Sequence, residues 1–194
     1  MVQYIDLTGE LTLESAQPII DTLMDIRVKN EAVILNNMAL KYKESHEPLY
    51  CDQVVFRINS PGGDLYKLFE IFDLIDILKD EGVYFSAEVS SIAYSAGFYL
   101  LMKMDERYIS EWASIMYHSM LTAHDYINIY DAFDDVDKKI KLQKKLDQLV
   151  LDNTSIPKEL LEKHQKQDLY MDYDDCVNFG IVKEYDDIEY DKVE

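Results

Sequence analysis

Ser91-Ile-Ala-Tyr-Ser-Ala-Gly-Phe-Tyr-Leu-Leu101 decides how this chain is read. A strand-like run, Val83 to Val89, precedes it, and an apolar helix-like run, Phe98 to Met104, takes over within it. Ser95 stands at the junction. Its neighbours Ala93, Ala96 and Gly97 are small, so a substrate backbone can come close. A hydroxyl at a helix N-terminus faces unpaired backbone N–H groups and the positive end of the helix dipole. That setting suits a nucleophile whose attack creates an oxyanion. It equally suits an N-cap serine that only satisfies helix donors.

Three further elements bear on that choice. Upstream, Ile58-Asn-Ser-Pro-Gly-Gly63 follows a strand-like stretch, Gln53 to Ile58, and precedes a helix that Asp64 can cap. Gly62 and Gly63 can present N–H groups to a ligand with no Cβ in the way; an ordinary strand–helix turn reads the same. Downstream, His118 ends the short apolar run of Ser114-Ile-Met-Tyr-His-Ser119. It reads either as a satisfied core or rim residue or as a general base with a usual pKa near ~6.5. Asp168 lies in Lys166-Gln-Asp-Leu-Tyr-Met171, ahead of a short helix punctuated by Asp172, Asp175 and Gly180. An orienting carboxylate needs such a fixed position.

In this order and spacing, Ile-Asn-Ser-Pro-Gly-Gly, Ser-Ala-Gly, Ile-Met-Tyr-His and Gln-Asp-Leu-Tyr-Met resemble the proteolytic subunit of the ATP-dependent Clp protease. The likeness runs from about Tyr4 to about Glu184. It implies an α/β fold of the ClpP/crotonase-like superfamily, a spiral of repeated β-β-α units with a protruding handle helix. It implies Ser95 as nucleophile, His118 as its base and Asp168 as the orienter of His118. The family's oxyanion donors fall on the N–H groups of Gly63 and Ala96, with Gly62 beside them. It implies a homo-oligomer, a seven-membered ring or a stacked pair of rings, enclosing the serines. An AAA+ unfoldase would feed unfolded protein or peptide substrates, and no metal or organic cofactor is required. The chain departs from the pattern after the histidine: positions 119–130 hold no glycine, and Met120 replaces a common proline. Two other readings compete, a catalytically inactive or regulatory ring subunit and a crotonase-like acyl-CoA enzyme.

The 194 residues suffice for one domain, expected over 1–184, with an acidic tail over 185–194. Net charge is −19, from 38 acidic against 19 basic side chains. No basic patch exists to displace counterions, so nucleic acid and anionic membrane surfaces are disfavoured partners. No apolar run approaches the ~20 residues of a membrane span. Met-Val-Gln-Tyr-Ile-Asp is not a signal-peptide start, so the cytoplasm is the expected compartment. Cys51 and Cys176 lack metal-ligand spacing, and Cys176 reads as a buried thiol.

Along the chain, Tyr4 to Leu7 reads as a first strand and Leu13 to Val28 as an amphipathic helix. Residues 29–52 read as an insertion, whose apolar part, Ala32 to Leu40, suits a helix or an extra strand. Leu65 to Leu78 forms a strongly apolar helix face. Short strands are expected near Arg107 to Ser110 and Ser114 to His118. Strands alternating with helices argue for a parallel sheet with crossover connections. Residues 125–152 are the longest helical candidate, with two out-of-phase apolar stripes; this is the expected handle.

Overall fold

Alternation and continuous apolar runs divide the strands into two kinds. β1 (Val2–Thr8) buries Ile5 and Leu7 and exposes Tyr4, Asp6 and Thr8, the pattern of a strand covered on one face. β2 (Gln53–Ser60) buries Val54, Val55, Phe56, Ile58 and Ser60, as the middle of a covered sheet requires. The computed structural model describes residues 1–39, 47–120 and 129–182, with the side chains of 129–134 left aside. Among these, six strands form one sheet in the order β1-β2-β3-β5-β6, with β4 also paired to β3.

β3 (Tyr84–Tyr94) is the central strand. It runs parallel to β2, and its other edge is shared in sequence. Ser86–Val89 pair with β4 (Glu106–Ile109), and Ile92–Tyr94 pair with β5 (Ser114–Tyr117). The strand therefore extends past the expected Val89 and ends immediately before Ser95. The parallel expectation holds for β1 to β5, but β6 (Leu169–Met171) is antiparallel to β5.

Helices fill the connections. α1 (Leu13–Ala39) continues well past Val28, so of the two readings of Ala32 onward the helix is the one adopted. Its extension is anchored by buried Asn30, which donates to the Cys51 carbonyl at 2.9 Å and accepts from the Cys51 N–H at 3.0 Å. Residues 40–46, the polar centre of the expected insertion, lie outside the described residues. α2 (Leu65–Asp80) starts where the Asp64 carboxylate accepts from the N–H groups of Tyr66 and Lys67. It buries Leu68, Ile71, Phe72, Leu74, Ile75 and Leu78, and fully burying such a side chain stabilises by roughly 2 kcal/mol.

α3 (Ala96–Met102) is buried at every position. α4 (Ile129–Asn153) packs its C-terminal half on α3 through buried Leu146 and Val150, while Val136 and Ile140 are exposed. The two expected stripes thus meet different surroundings. The start of the expected handle, 125–128, and the acidic tail lie outside the described residues. α5 (Lys158–Lys163) follows Pro157, and α6 (Tyr173–Asn178) opens with a capping box between Asp172 and Asp175. Among the described residues no helix is long and apolar enough to cross a membrane.

Candidate active site

The polypeptide turns at Ser95 in a conformation that side chains rarely adopt. Its φ is 54° and its ψ −116°, and it is the one non-glycine residue with positive φ among the described residues. Holding it there costs about 1–3 kcal/mol, which the surroundings must offset. They do so from both sides. Its N–H donates to the Met116 carbonyl at 3.0 Å, and its carbonyl accepts from the Tyr99 N–H at 3.0 Å. Its hydroxyl caps nothing. Of the two sequence readings, the N-cap serine therefore fails, because the cap hydrogen bond is not made.

The Ser60–Gly63 turn lies against this elbow. A Cβ on Gly62 would stand 2.6 Å from Ser95 Cβ, 2.9 Å from the Tyr94 carbonyl and 3.0 Å from the Ala96 nitrogen. Its φ of +105° also demands glycine. The Gly62 N–H is taken by Ser60 Oγ at 3.1 Å, so this residue supplies close approach, not a free donor. Gly63 pairs with Leu11 as a short parallel bridge. The Gly62 carbonyl and the Asp64 N–H both bond Leu11 at 2.7 Å, which turns the Gly63 N–H the other way. Among the described residues the N–H groups of Gly63 and Ala96 have no protein acceptor. Two unpaired donors thus flank a strained, uncapped serine.

Strand register brings the other two candidates to the same end of the sheet. Tyr94 pairs with Met116 in the parallel β3–β5 ladder, so Ser95 stands level with the end of β5. Tyr117 pairs with Leu169 in the antiparallel β5–β6 ladder. One further step along that ladder sets His118 opposite Asp168. The reversal of β6 is what returns Asp168 to this end.

Side-chain contacts stop short of what the register allows. The half-buried imidazole donates Nδ1–H to the Ser119 carbonyl at 2.5 Å. Among the described residues no hydrogen bond joins His118 to Ser95 or to Asp168. Asp168 is exposed and its carboxylate accepts from Tyr170 Oη at 3.4 Å, while its carbonyl accepts from His164 Nδ1 at 3.2 Å. Tyr170 in turn meets Tyr94 edge to face at 5.7 Å, closing the wall beside the elbow.

Two other features lie apart. A shallow pocket of about 400 Å³ on the open sheet face is lined by Asp6, Thr8, Arg57, Asn59, Glu88 and Ser90 together with Ile58. It includes none of the three candidates. Its Arg57 is held bidentate by Asp6 at 2.6 and 2.9 Å, an exposed pair worth at most about 1 kcal/mol. No group of three or more His, Cys, Asp or Glu among the described residues is arranged as a metal site. Sequence reading assigned no part to Tyr99, whose hydroxyl donates to the His118 carbonyl at 3.0 Å, nor to the α4 residues behind it. An apolar neighbourhood hides a buried phenol, and only the fold reveals its target.

The model of the Clp protease family matches residues 31–187, from the middle of α1 past α6. The match includes the Ser60–Gly63 turn, Ser95, His118 and Asp168. Membership implies a peptidase that takes peptide substrates and assembles as an oligomer. Since the matched span covers far more than half of the chain and the α/β sheet agrees with it, this protein belongs to the Clp protease family.

Proposed function

We propose that the chain is a serine endopeptidase that cleaves unfolded polypeptides inside an oligomeric chamber. The observation that carries this reading is the elbow: a strained, uncapped Ser95 between two N–H groups without acceptors. Ser95 Oγ attacks the scissile carbonyl as His118 takes its proton. Asp168 holds the imidazole tautomer and offsets the imidazolium charge. The carbonyl oxygen, now an oxyanion, accepts from Gly63 and Ala96, each such donor being worth roughly 3 kcal/mol in the transition state. His118 then protonates the leaving amine, and water attacks the acyl-enzyme by the same steps in reverse order.

For this to run, the His118 Nδ1–H exchanges the Ser119 carbonyl for the Asp168 carboxylate. That swap leaves one hydrogen bond for another. A ring chamber in the cytoplasm, fed by an AAA+ unfoldase, belongs to the same reading and rests on family membership. A second reading, a regulatory subunit without its own activity, is favoured by the imidazole's bond to Ser119.

A fluorophosphonate probe separates the two. Labelling at Ser95 with peptide hydrolysis, both lost in Ser95→Ala at a cost of at least ~10⁴-fold in kcat, is the expected result. A correctly assembled chain that the probe leaves untouched would overturn the peptidase reading in favour of the regulatory one.

A further inference from the structure

The segment that carries His118 is held at three points, the Tyr117 hydroxyl, the His118 carbonyl and the Met120 N–H, by one polar cluster. Tyr117 Oη donates to Asp147 Oδ1 at 2.8 Å. The His118 carbonyl accepts from Tyr99 Oη at 3.0 Å. The Met120 N–H donates to Gln143 Oε1 at 2.7 Å. Gln143 ties these together: its Nε2 donates to Asp147 Oδ1 at 2.7 Å and to Tyr99 Oη at 3.3 Å. The amide can sit only one way round, because an N–H faces one end of it and a carboxylate the other.

Gln143 and Asp147 are one turn apart on α4, so they present to the same face. Burial raises the pKa of both phenols well above the ordinary tyrosine value, so both remain protonated donors across the working range. Ser119 is held independently, its Oγ donating to the Gln165 carbonyl at 2.6 Å. Residues 117–120 are thus each tied to a neighbouring element: Tyr117 and Met120 to α4, His118 to α3, and Ser119 to Gln165.

We propose that Gln143 and Asp147 are positioning residues for His118, fixing from α4 the backbone on which the imidazole turns between Ser119 and Asp168. The inference rests on the serine-peptidase reading. It also differs from that reading in what it demands: the relay residues touch substrate or each other, whereas this pair touches neither and acts through residues 117, 118 and 120. Displacing a catalytic group by about 1 Å can cost ~10²-fold. Losing the clamp should therefore lower kcat and leave substrate binding alone.

The test compares Gln143→Met, Asp147→Leu, Asp147→Asn and Tyr117→Phe with the wild-type full chain. Peptide kcat and KM, the rate of fluorophosphonate labelling at Ser95, and native mass are measured for each. Gln143→Met and Asp147→Leu are expected to lose ~10- to 10²-fold in kcat and in labelling rate with KM within about twofold. Asp147→Asn keeps an oxygen to accept from Tyr117 and Gln143 and should recover to within about threefold of wild type. If Gln143→Met or Asp147→Leu fails to assemble, Tyr117→Phe decides, since it removes one arm and retains the ring; it should lose about threefold or more in kcat. Variants that assemble and label as fast as wild type overturn the positioning role while leaving the Ser95 reading intact. A loss in Asp147→Asn equal to that in Asp147→Leu also overturns it. A wild-type chain that neither labels nor cleaves removes both.

Discussion

The two halves of the candidate site are built differently. The serine half is made by backbone: Ser95 at φ 54°, Gly62 in contact with it, Gly63 fixed by pairing with Leu11, and Ala96 at the start of α3. Nothing in it can move without breaking β3, β5 or the turn. The histidine–aspartate half is made by side chains on segments that end strands. His118 is half-buried and bonded to its neighbour's carbonyl; Asp168 is exposed and bonded to Tyr170. One half is preset by the fold, while the other is brought level by register, with its side chains bonded elsewhere. On the serine-peptidase reading, electrostatic preorganisation is thus concentrated in the serine half.

The strongest way to break that contrast is to put a methyl group into the preset half. Gly62→Ala would force a Cβ against Ser95 Cβ and two backbone atoms at a φ of +105°. No rotamer change relieves a clash with backbone. The expected cost is about 2–4 kcal/mol of stability and ~10²- to 10³-fold in kcat, read by denaturant unfolding and peptide hydrolysis. Gly9→Ala is the control. Gly9 also has positive φ, +82°, but its Cβ would meet nothing within 4 Å. It should lose only about 1 kcal/mol and keep its activity. Equal loss of activity in both variants would show that contact with the elbow is not what matters.

The other half should respond in the opposite sense. Asp168→Asn removes a charge from an exposed position whose carboxylate accepts from Tyr170 Oη at 3.4 Å. Stability should change by less than about 0.5 kcal/mol. On the serine-peptidase reading, kcat should still fall ~10- to 10²-fold, because Asp168 would supply the imidazolium's counter-charge and tautomer control. That loss is milder than for a buried orienter, since solvent screens an exposed carboxylate. A thermal scan beside the kinetics checks it. Loss of activity matched by loss of fold would erase the distinction between the halves.

This division also governs what could be read from the residues in advance. Ser95 with its small neighbours, and the paired glycines, announced themselves because backbone geometry of that kind restricts residue type. The caps at Asp64 and Asp172 were legible for the same reason. The end of α1 was not, because Lys29 to Ala39 carries no glycine, no proline and no strong breaker, and the helix simply continues. The antiparallel sense of β6 left no mark either: three residues, Leu169 to Met171, pair equally well in both directions as far as composition goes. The clamp of Tyr99, Gln143 and Asp147 escaped because polar residues on an amphipathic helix look solvated until the neighbour is known. The order of the candidates along the chain was visible; the hydrogen bonds that complete or withhold their relay were not.

At neutral pH the effect of alkali on stability is absent, but above it pH again separates the halves. α6 follows β6 directly and packs against it, and its Cys176 is buried. Burial, aided by the charges of Asp175 and then Asp172, pushes this thiol from an ordinary value near 9.0 up to about 12. The folded state then holds a proton that the unfolded chain releases. Stability from this group is full below about pH 9 and is lost as pH rises toward 12, by up to about 1.4 kcal/mol per pH unit. Tyr99, which donates to the His118 carbonyl, and Tyr117, which precedes His118, shift in the same direction through burial. Alkali should therefore loosen the histidine–aspartate half first. Hydrogen exchange at about pH 10 should show protection falling over residues 169–179 before it falls in β2 and α2. Cys176→Ala should flatten the stability slope between about pH 9 and 11 by one proton's worth. An unchanged slope would mean that the thiolate finds solvent in the folded chain, and that α6 is less tightly seated than its burial indicates.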